Sequence, residues 1–289
     1  MNKYKRILLL LPVLMMLLSL SSKAHGDGRG ELPQNIFNEW NYLLAAVLIV
    51  IMGFYLIKFK ESFSQSICFF LALVVFYIAL GSPLHLLGDQ YLFSAHMLEQ
   101  SIVYIALPPL LLLGLPKKII EPLMAWGLKK KIFSILKYPL ILLLLFNVLF
   151  SLYHIPTVFN TVVGNTLLHN MTHAVLTFTA ILMWVPLIPL TRELETLSEI
   201  QKIGYIFASG VLLTPACALI IFSNDPFYTV YSNAPQLFDL LPPLDDQRTG
   251  GIIMKVFQEI VYGSMIGYIF FKWAKKEREN EKSYNLDVI

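Results

Sequence analysis

Residues 107–154 read LPPLLLLGLPKKIIEPLMAWGLKKKIFSILKYPLILLLLFNVLFSLYH. Two apolar runs flank a loop from Pro116 to Lys137 that holds Lys117, Lys118, Lys129, Lys130, Lys131 and Lys137. In a membrane protein, lysines crowded into a short loop mark the cytoplasmic side. Working outward, apolar segments recur at about 38–57, 63–84, 92–115, 138–154, 167–190, 202–222 and 252–273. A bilayer crossing takes about twenty apolar residues, and each segment meets that range, 138–154 at its short end. Alternation then places the loops Lys58 to Ser62, Pro116 to Lys137 and Thr191 to Gln201, and the tail from Lys275, on the inside. The loop from Ser223 to Gly251 falls outside, and it contains no lysine and only Arg248. The sequence therefore predicts an all-α polytopic membrane protein of seven transmembrane helices, with its N-terminus out and its C-terminus in.

Composition agrees with this reading. The 289 residues are 56% hydrophobic and 14% charged, with mean hydropathy +0.65, too apolar for an ordinary soluble domain. The net charge of +3 comes from loop lysines that report topology, and it gives no reason to expect nucleic acid as a partner. Lys3, Lys5 and Arg6 precede an apolar stretch from Ile7 to Leu20, short for a span, and Ser22-Lys23-Ala24 has the small-x-small pattern of a cleavage site. Residues 1–24 read as a signal peptide or as an uncleaved first helix, residues 25–275 as the membrane domain and 276–289 as a cytoplasmic tail. Pro108-Pro109 and Pro215 lie inside spans and should bend them. Cys68 and Cys217 differ in depth by roughly 15 Å at 1.5 Å per residue, too far for a disulfide.

The chemistry points to the histidines, all six of which fall at the helix ends opposite the lysine loops. His169 and His173 are four apart at the start of the fifth span, so their rings project from one helix face. His96 has the same depth on the third span, His154 closes the fourth and His85 follows the second. Polar side chains at such depth face a bundle interior or a wet cavity, so several helices can bring imidazoles to one point. A single interfacial histidine is more often a packing residue, and His25 and His85 read that way. Haem is disfavoured, because axial histidines come from facing helices and several haems would spread them over both depths.

Met97 and Met171 neighbour these histidines but diverge around the helix, whereas Met254, at the start of the last span, is a freer candidate. Thioether with imidazole suits Cu(I), and carboxylate with imidazole suits zinc. For any one methionine, core packing is the ordinary role. Among the loop carboxylates, Asp246 and more weakly Asp89 are candidates to orient a ligand.

Ser94-Ala95-His96-Met97, followed by Leu107-Pro108-Pro109-Leu110 and Gly114-Leu115-Pro116, resembles the third-helix signature of the CtaG-type cytochrome c oxidase assembly factors. The run from Asp246-Gln247-Arg248 through Gly250-Gly251 to Met254 is similar to that family's entry into its last helix, and His154-Ile155-Pro156 and His169 to His173 match its middle helices. The resemblance covers roughly Asn38 to Lys272. It implies a seven-helix plasma-membrane protein, not an enzyme, that helps build haem–copper oxidase by supplying or placing copper. Gln100 stands where many relatives carry a second histidine, which favours three histidines with sulfur assistance.

The combined expectation is a Cu(I) site facing outside, with His96, His169 and His173 as ligands and Met254 as an auxiliary ligand. His154 and Asp246 would orient ligands or shuttle the ion, and Gly250-Gly251 would let the outer loop pack on the last helix. Expected partners are the copper-carrying oxidase subunit, copper-donor chaperones and the lipid bilayer. Two alternatives stand beside it. An intramembrane zinc-dependent hydrolase needs an open water position and a poised carboxylate or serine, yet no aspartate lies within a predicted span and Ser82 only at the end of one. A copper permease needs ligands through the whole depth, where the inner halves lack histidine.

Overall fold

A computed structural model describes residues 38–59, 61–129, 131 and 133–287 of the chain, so the N-terminal segment read as a signal peptide, His25 and Lys130 lie outside the described residues. The described residues are helical, with no strand among them. In chain order the helices are α1 Tyr42–Phe59, α2 Phe63–Leu80, α3 Pro83–Gln90, α4 Phe93–Gly114, α5 Lys117–Lys129, α6 Pro139–Tyr153, α7 Pro156–Val163, α8 Thr166–Trp184, α9 Glu199–Ile221, α10 Thr229–Ser232 and α11 Pro243–Asp287.

Five helices (α1, α2, α4, α9 and α11) are long and apolar enough to cross a membrane, or six if the bent pair α6–α7 counts as one crossing. The seven predicted segments are thus only partly matched. The segment 138–154 yields a helix of 15 residues, about 22 Å at 1.5 Å per residue. The chain then breaks at His154-Ile155, and α7 leaves at 80° with Pro156 at its first turn. Pro156 cannot donate to the preceding helix and disfavours helical geometry at Ile155, so the bend falls there. Helix α8 has 19 residues, but His169, Asn170, His173 and its threonines dilute its apolar character. The last helix starts before Asp246 and runs for 45 residues, so the expected outer loop is shorter and Gly250-Gly251 lie inside α11.

Helix α4 is the centre of the bundle: 78% of its apolar window is buried, against 22–39% for the other four. It packs against α2, α3, α8 and α11, while α9 joins α6 to α11. Pro108 and Pro109 leave α4 continuous. Lacking N–H groups and crowding the carbonyls one turn back, they shift the ladder so that Leu107 N–H donates to Ile102 C=O and Ile102–Ala106 form a π turn. Pro215 likewise sits within an unbroken α9.

Local sequence sets the helix starts. The side chains of Ser62, Ser82 and Asn165 accept from Gln65, Leu84 and Leu168 N–H at 3.3, 3.2 and 3.0 Å, and Ser198 with Gln201 forms a capping box for α9. A buried polar cluster ties four helices together. Asn147 Nδ2 on α6 donates to Ser209 Oγ on α9 at 3.2 Å, which lies 3.2 Å from both Met183 Sδ on α8 and the Tyr262 hydroxyl on α11. Both cysteines are free.

Candidate metal centre

His96, His169 and His173 converge at the end of the bundle opposite the lysine-bearing loop, with His85 beside them. His96 lies in the first turn of α4, and His169 and His173 in the first two turns of α8. The i, i+4 spacing stacks the His169 and His173 rings, with centroids 4.3 Å apart and planes at 19°. His96 meets both, at 5.9 and 5.5 Å. His96 and His169 are buried, at 0% and 5% exposure.

Hydroxyls and one amide hold these rings. The Tyr153 hydroxyl, from the end of α6, lies 3.1 Å from His96 Nε2 and 3.4 Å from His173 Nε2. The Tyr104 hydroxyl lies 2.8 Å from His173 Nδ1, and Gln100 Nε2 lies 2.8 Å from His96 Nε2. His96, Gln100 and Tyr104 stand at i, i+4 and i+8 on α4, and of these Tyr104 gave no signal in the sequence beyond an aromatic residue in an apolar helix. As the side chains stand, no three His, Cys, Asp or Glu groups among the described residues come close enough to hold an ion. The imidazoles are together, but His96 Nε2 and both nitrogens of His173 are engaged with hydroxyls and an amide.

A chain of carboxylates adjoins the cluster. Asp89 Oδ1 is 3.8 Å from His169 Nε2, and its Oδ2 is 3.6 Å from His85 Nε2. His85 Nδ1 reaches Glu99 Oε2 at 3.1 Å. Burial alone would lower the His85 pKa, but the carboxylates of Glu99 and Asp89 overcome it and raise it to about 10. His85 is therefore a charged bridge and not a packing residue. Glu99, one turn beyond His96, was missed in the sequence, although a carboxylate inside an apolar helix is itself a signal. Asp89 belongs to α3, a short helix between predicted spans, and so stands beside His169 without lying inside a crossing.

That arrangement depends on a close approach. A Cβ on Gly88 would stand 3.0 Å from His96 Cα and N, tighter than ordinary contact, so a side chain here would press on the α4 backbone that glycine leaves undisturbed. The Tyr231 hydroxyl donates to Gly88 C=O at 2.7 Å and holds the contact from the far side.

His154 Nδ1 donates to Phe150 C=O at 2.8 Å, its ring meets Phe150, Tyr153 and Phe159, and its Nε2 has no hydrogen-bond partner among the described residues. Asp246 accepts from Phe93 and Ser94 N–H at 2.7 and 3.1 Å. Leu92, at the N-cap position of α4, has no capping oxygen, so a carboxylate from α11 caps the helix that carries His96. Met254 is buried in the apolar core, with no hydrogen bond to the cluster among the described residues. Met97 faces Gly250 on α11, and Met171 is half exposed. Cβ atoms at Gly250 and Gly251 would strike Phe93 and Met97 on one side and Ile220 and Ile221 on the other, so these glycines seat α11 between α4 and α9. The polar groups that contact the imidazoles are the Tyr153 and Tyr104 hydroxyls, the Gln100 amide and the Asp89 carboxylate.

Among protein families, the model described as cytochrome c oxidase caa3 assembly factor matches residues 41–276. Comparisons with curated proteins and with solved structures give no match.

Proposed function

We propose, from the premise that this chain belongs to the cytochrome c oxidase caa3 assembly factor family, that it carries Cu(I) as cargo on His96, His169 and His173 and passes it to the copper-bearing oxidase subunit. The observation that supports this most is the meeting of three imidazoles from α4 and α8 at ring distances of 4.3–5.9 Å. Imidazole nitrogen is a good copper ligand, and two or three neutral donors make a site that exchanges its ion readily. The His169–Asp89 and His173–Tyr104 contacts would fix which nitrogen of each ring faces the ion. Met254 on α11 would be the auxiliary ligand.

In this reading α1, α2, α4, α6, α8, α9 and α11 are the seven crossings, with the N-terminus out. Support comes from Lys117 and Lys118 at one end of α4 and His96 at the other. The histidines would then open toward the face of the plasma membrane where the oxidase takes up copper, and a donor chaperone would load them there.

Asp89 beside His169, with Glu99 nearby, keeps an intramembrane zinc-dependent hydrolase as a second reading. A deletion strain separates the two. Copper delivery predicts oxidase polypeptides present but poorly active, with partial recovery in added copper by mass action. Unchanged oxidase activity with an altered lipid profile would overturn it.

A further inference from the structure

Helix α11 carries a charged pair on its outward side. Lys255 Nζ lies 2.6 Å from Glu259 Oε1 and 3.1 Å from Thr214 Oγ1 on α9, and the Glu259 side chain is 61% exposed. The depth of the pair follows from the two ends of the helix. Glu259 stands midway between Asp246, which caps the start of α4, and Lys272, whose Nζ meets Glu199 at the start of α9, about 20 Å along the helix from each. With α11 crossing the membrane, that is the middle of the bilayer, where a charge left against acyl chains is costly and normally faces protein or a wet cavity. Lys255 neutralises Glu259 but does not cover it.

The surface around Glu259 is shaped for another helix. Ile252, Val256, Glu259, Gly263, Gly267 and Phe270 recur at intervals of three and four residues, so they share one side of α11. Ile252, Val256 and Phe270 are about half exposed. A Cβ at Gly263 or Gly267 would meet no atom within 4 Å, whereas one at Gly250 or Gly251 would strike α4 or α9. Glycine weakens a helix interior, and that cost is offset where another backbone comes close. This chain supplies such a neighbour to Gly250 and Gly251 and leaves Gly263 and Gly267 open. Small residues four apart on a crossing helix let a second helix approach closely.

We infer that this side of α11 binds a second copy of the chain. Two copies in one membrane share an orientation, so a two-fold axis along the membrane normal brings equal depths of their α11 helices together. Gly263 and Gly267 then face their counterparts, and each Lys255 stands one turn, about 6 Å, from the depth of the partner's Glu259, within reach of its long side chain. The four charges of the two copies alternate in sign and close into a neutral cluster shielded from lipid. A helix of another protein would need matching charges of its own at this depth, and a second copy carries them. The surface lies on the side of α11 turned away from α4, so the inference does not rest on what the histidines bind.

Cysteine crosslinking of the full-length chain in its native membrane tests this, with Cys68→Ala and Cys217→Ala removing the natural thiols. Val256→Cys should give, on mild oxidation, a disulfide-linked band at twice the mass of the chain, and Ile49→Cys, 71% exposed on α1, should not. Adding Gly263→Leu and Gly267→Leu should lower the Val256→Cys yield roughly tenfold. The melting temperature should not fall with it, because the new side chains meet nothing within this chain. Glu259→Lys should also lower the yield, and Lys255→Glu added to it should restore the dimer. Absence of the dimer band at Val256→Cys, an equal band at Ile49→Cys, a yield unaffected by the two leucines, a charge swap that restores nothing, or a crosslinked band at the mass of a different protein would each overturn the second copy. Should the charge variants fail to accumulate in the membrane, the leucine variant decides alone.

Discussion

Replacement of Asp246 by alanine strands two backbone donors. The carboxylate, 3% exposed, accepts from Phe93 N–H at 2.7 Å and from Ser94 N–H at 3.1 Å. Leaving a buried donor without a partner costs about 1–3 kcal/mol, so the loss for two should be about 2–6 kcal/mol in all. Asp246→Asn keeps one accepting oxygen and should lose about half as much. A thermal melt in detergent reads this as a drop on the order of 10 °C for alanine, at about 2–4 °C per kcal/mol for a chain of this size. Copper binding, measured well below the melting temperature, should fall only as far as the first turn of α4 loosens around His96. An unchanged melting temperature in Asp246→Ala would refute the capping role. Complete loss of copper at full stability would mean that Asp246 touches the ion.

Gly88→Ala should push α3 away from the His96 backbone, at a cost of about 1–3 kcal/mol for overpacking, and reduce both thermal stability and copper affinity; a melt and a copper titration check both, and wild-type values would refute the close approach. For His85, a folded pKa raised to about 10 above its ordinary 6.5 means that its stabilising charge is fully present below pH 6.5 and is lost as pH rises through about 10. The melting-temperature difference between wild type and His85→Gln should therefore shrink over that window, and a pH-independent difference would contradict the bridge. In a background with Cys68 and Cys217 replaced by alanine, Asp239→Cys should react with an impermeant thiol reagent in intact cells and Lys129→Cys should not. The reverse pattern would invert the topology and the placement of the histidines with it.

The sequence carried the membrane class, the all-helical architecture and the grouping of His96, His169 and His173, because apolar length, lysine placement and i, i+4 spacing are local signals. It was less informative where an outcome depended on packing between helices. The break at His154 follows from Pro156 and was available locally, yet the apolar run through Tyr153 masked it. The π turn below Tyr104 follows from Pro108-Pro109 and appeared in the sequence only as an expected bend. Asp246 was placed near the histidines in depth, but its role as a cap supplied by α11 to α4 joins residues more than 150 positions apart. Tyr153 and Tyr104 read as ordinary aromatic residues in apolar helices, and only the assembled bundle turns their hydroxyls to the imidazoles. Met254 is buried in the same apolar core as Met97, Tyr104 and Tyr153, where packing is the ordinary role of a methionine.

The central claim is that the three imidazoles hold copper. The most direct test is the number of Cu(I) ions bound per purified full-length chain, wild type against His96→Ala/His169→Ala/His173→Ala, with the variant's melting temperature confirming that it is folded. The account predicts one ion bound by the wild type and none by the variant. A folded variant that still binds one Cu(I) ion, or a wild type that binds none, would contradict it.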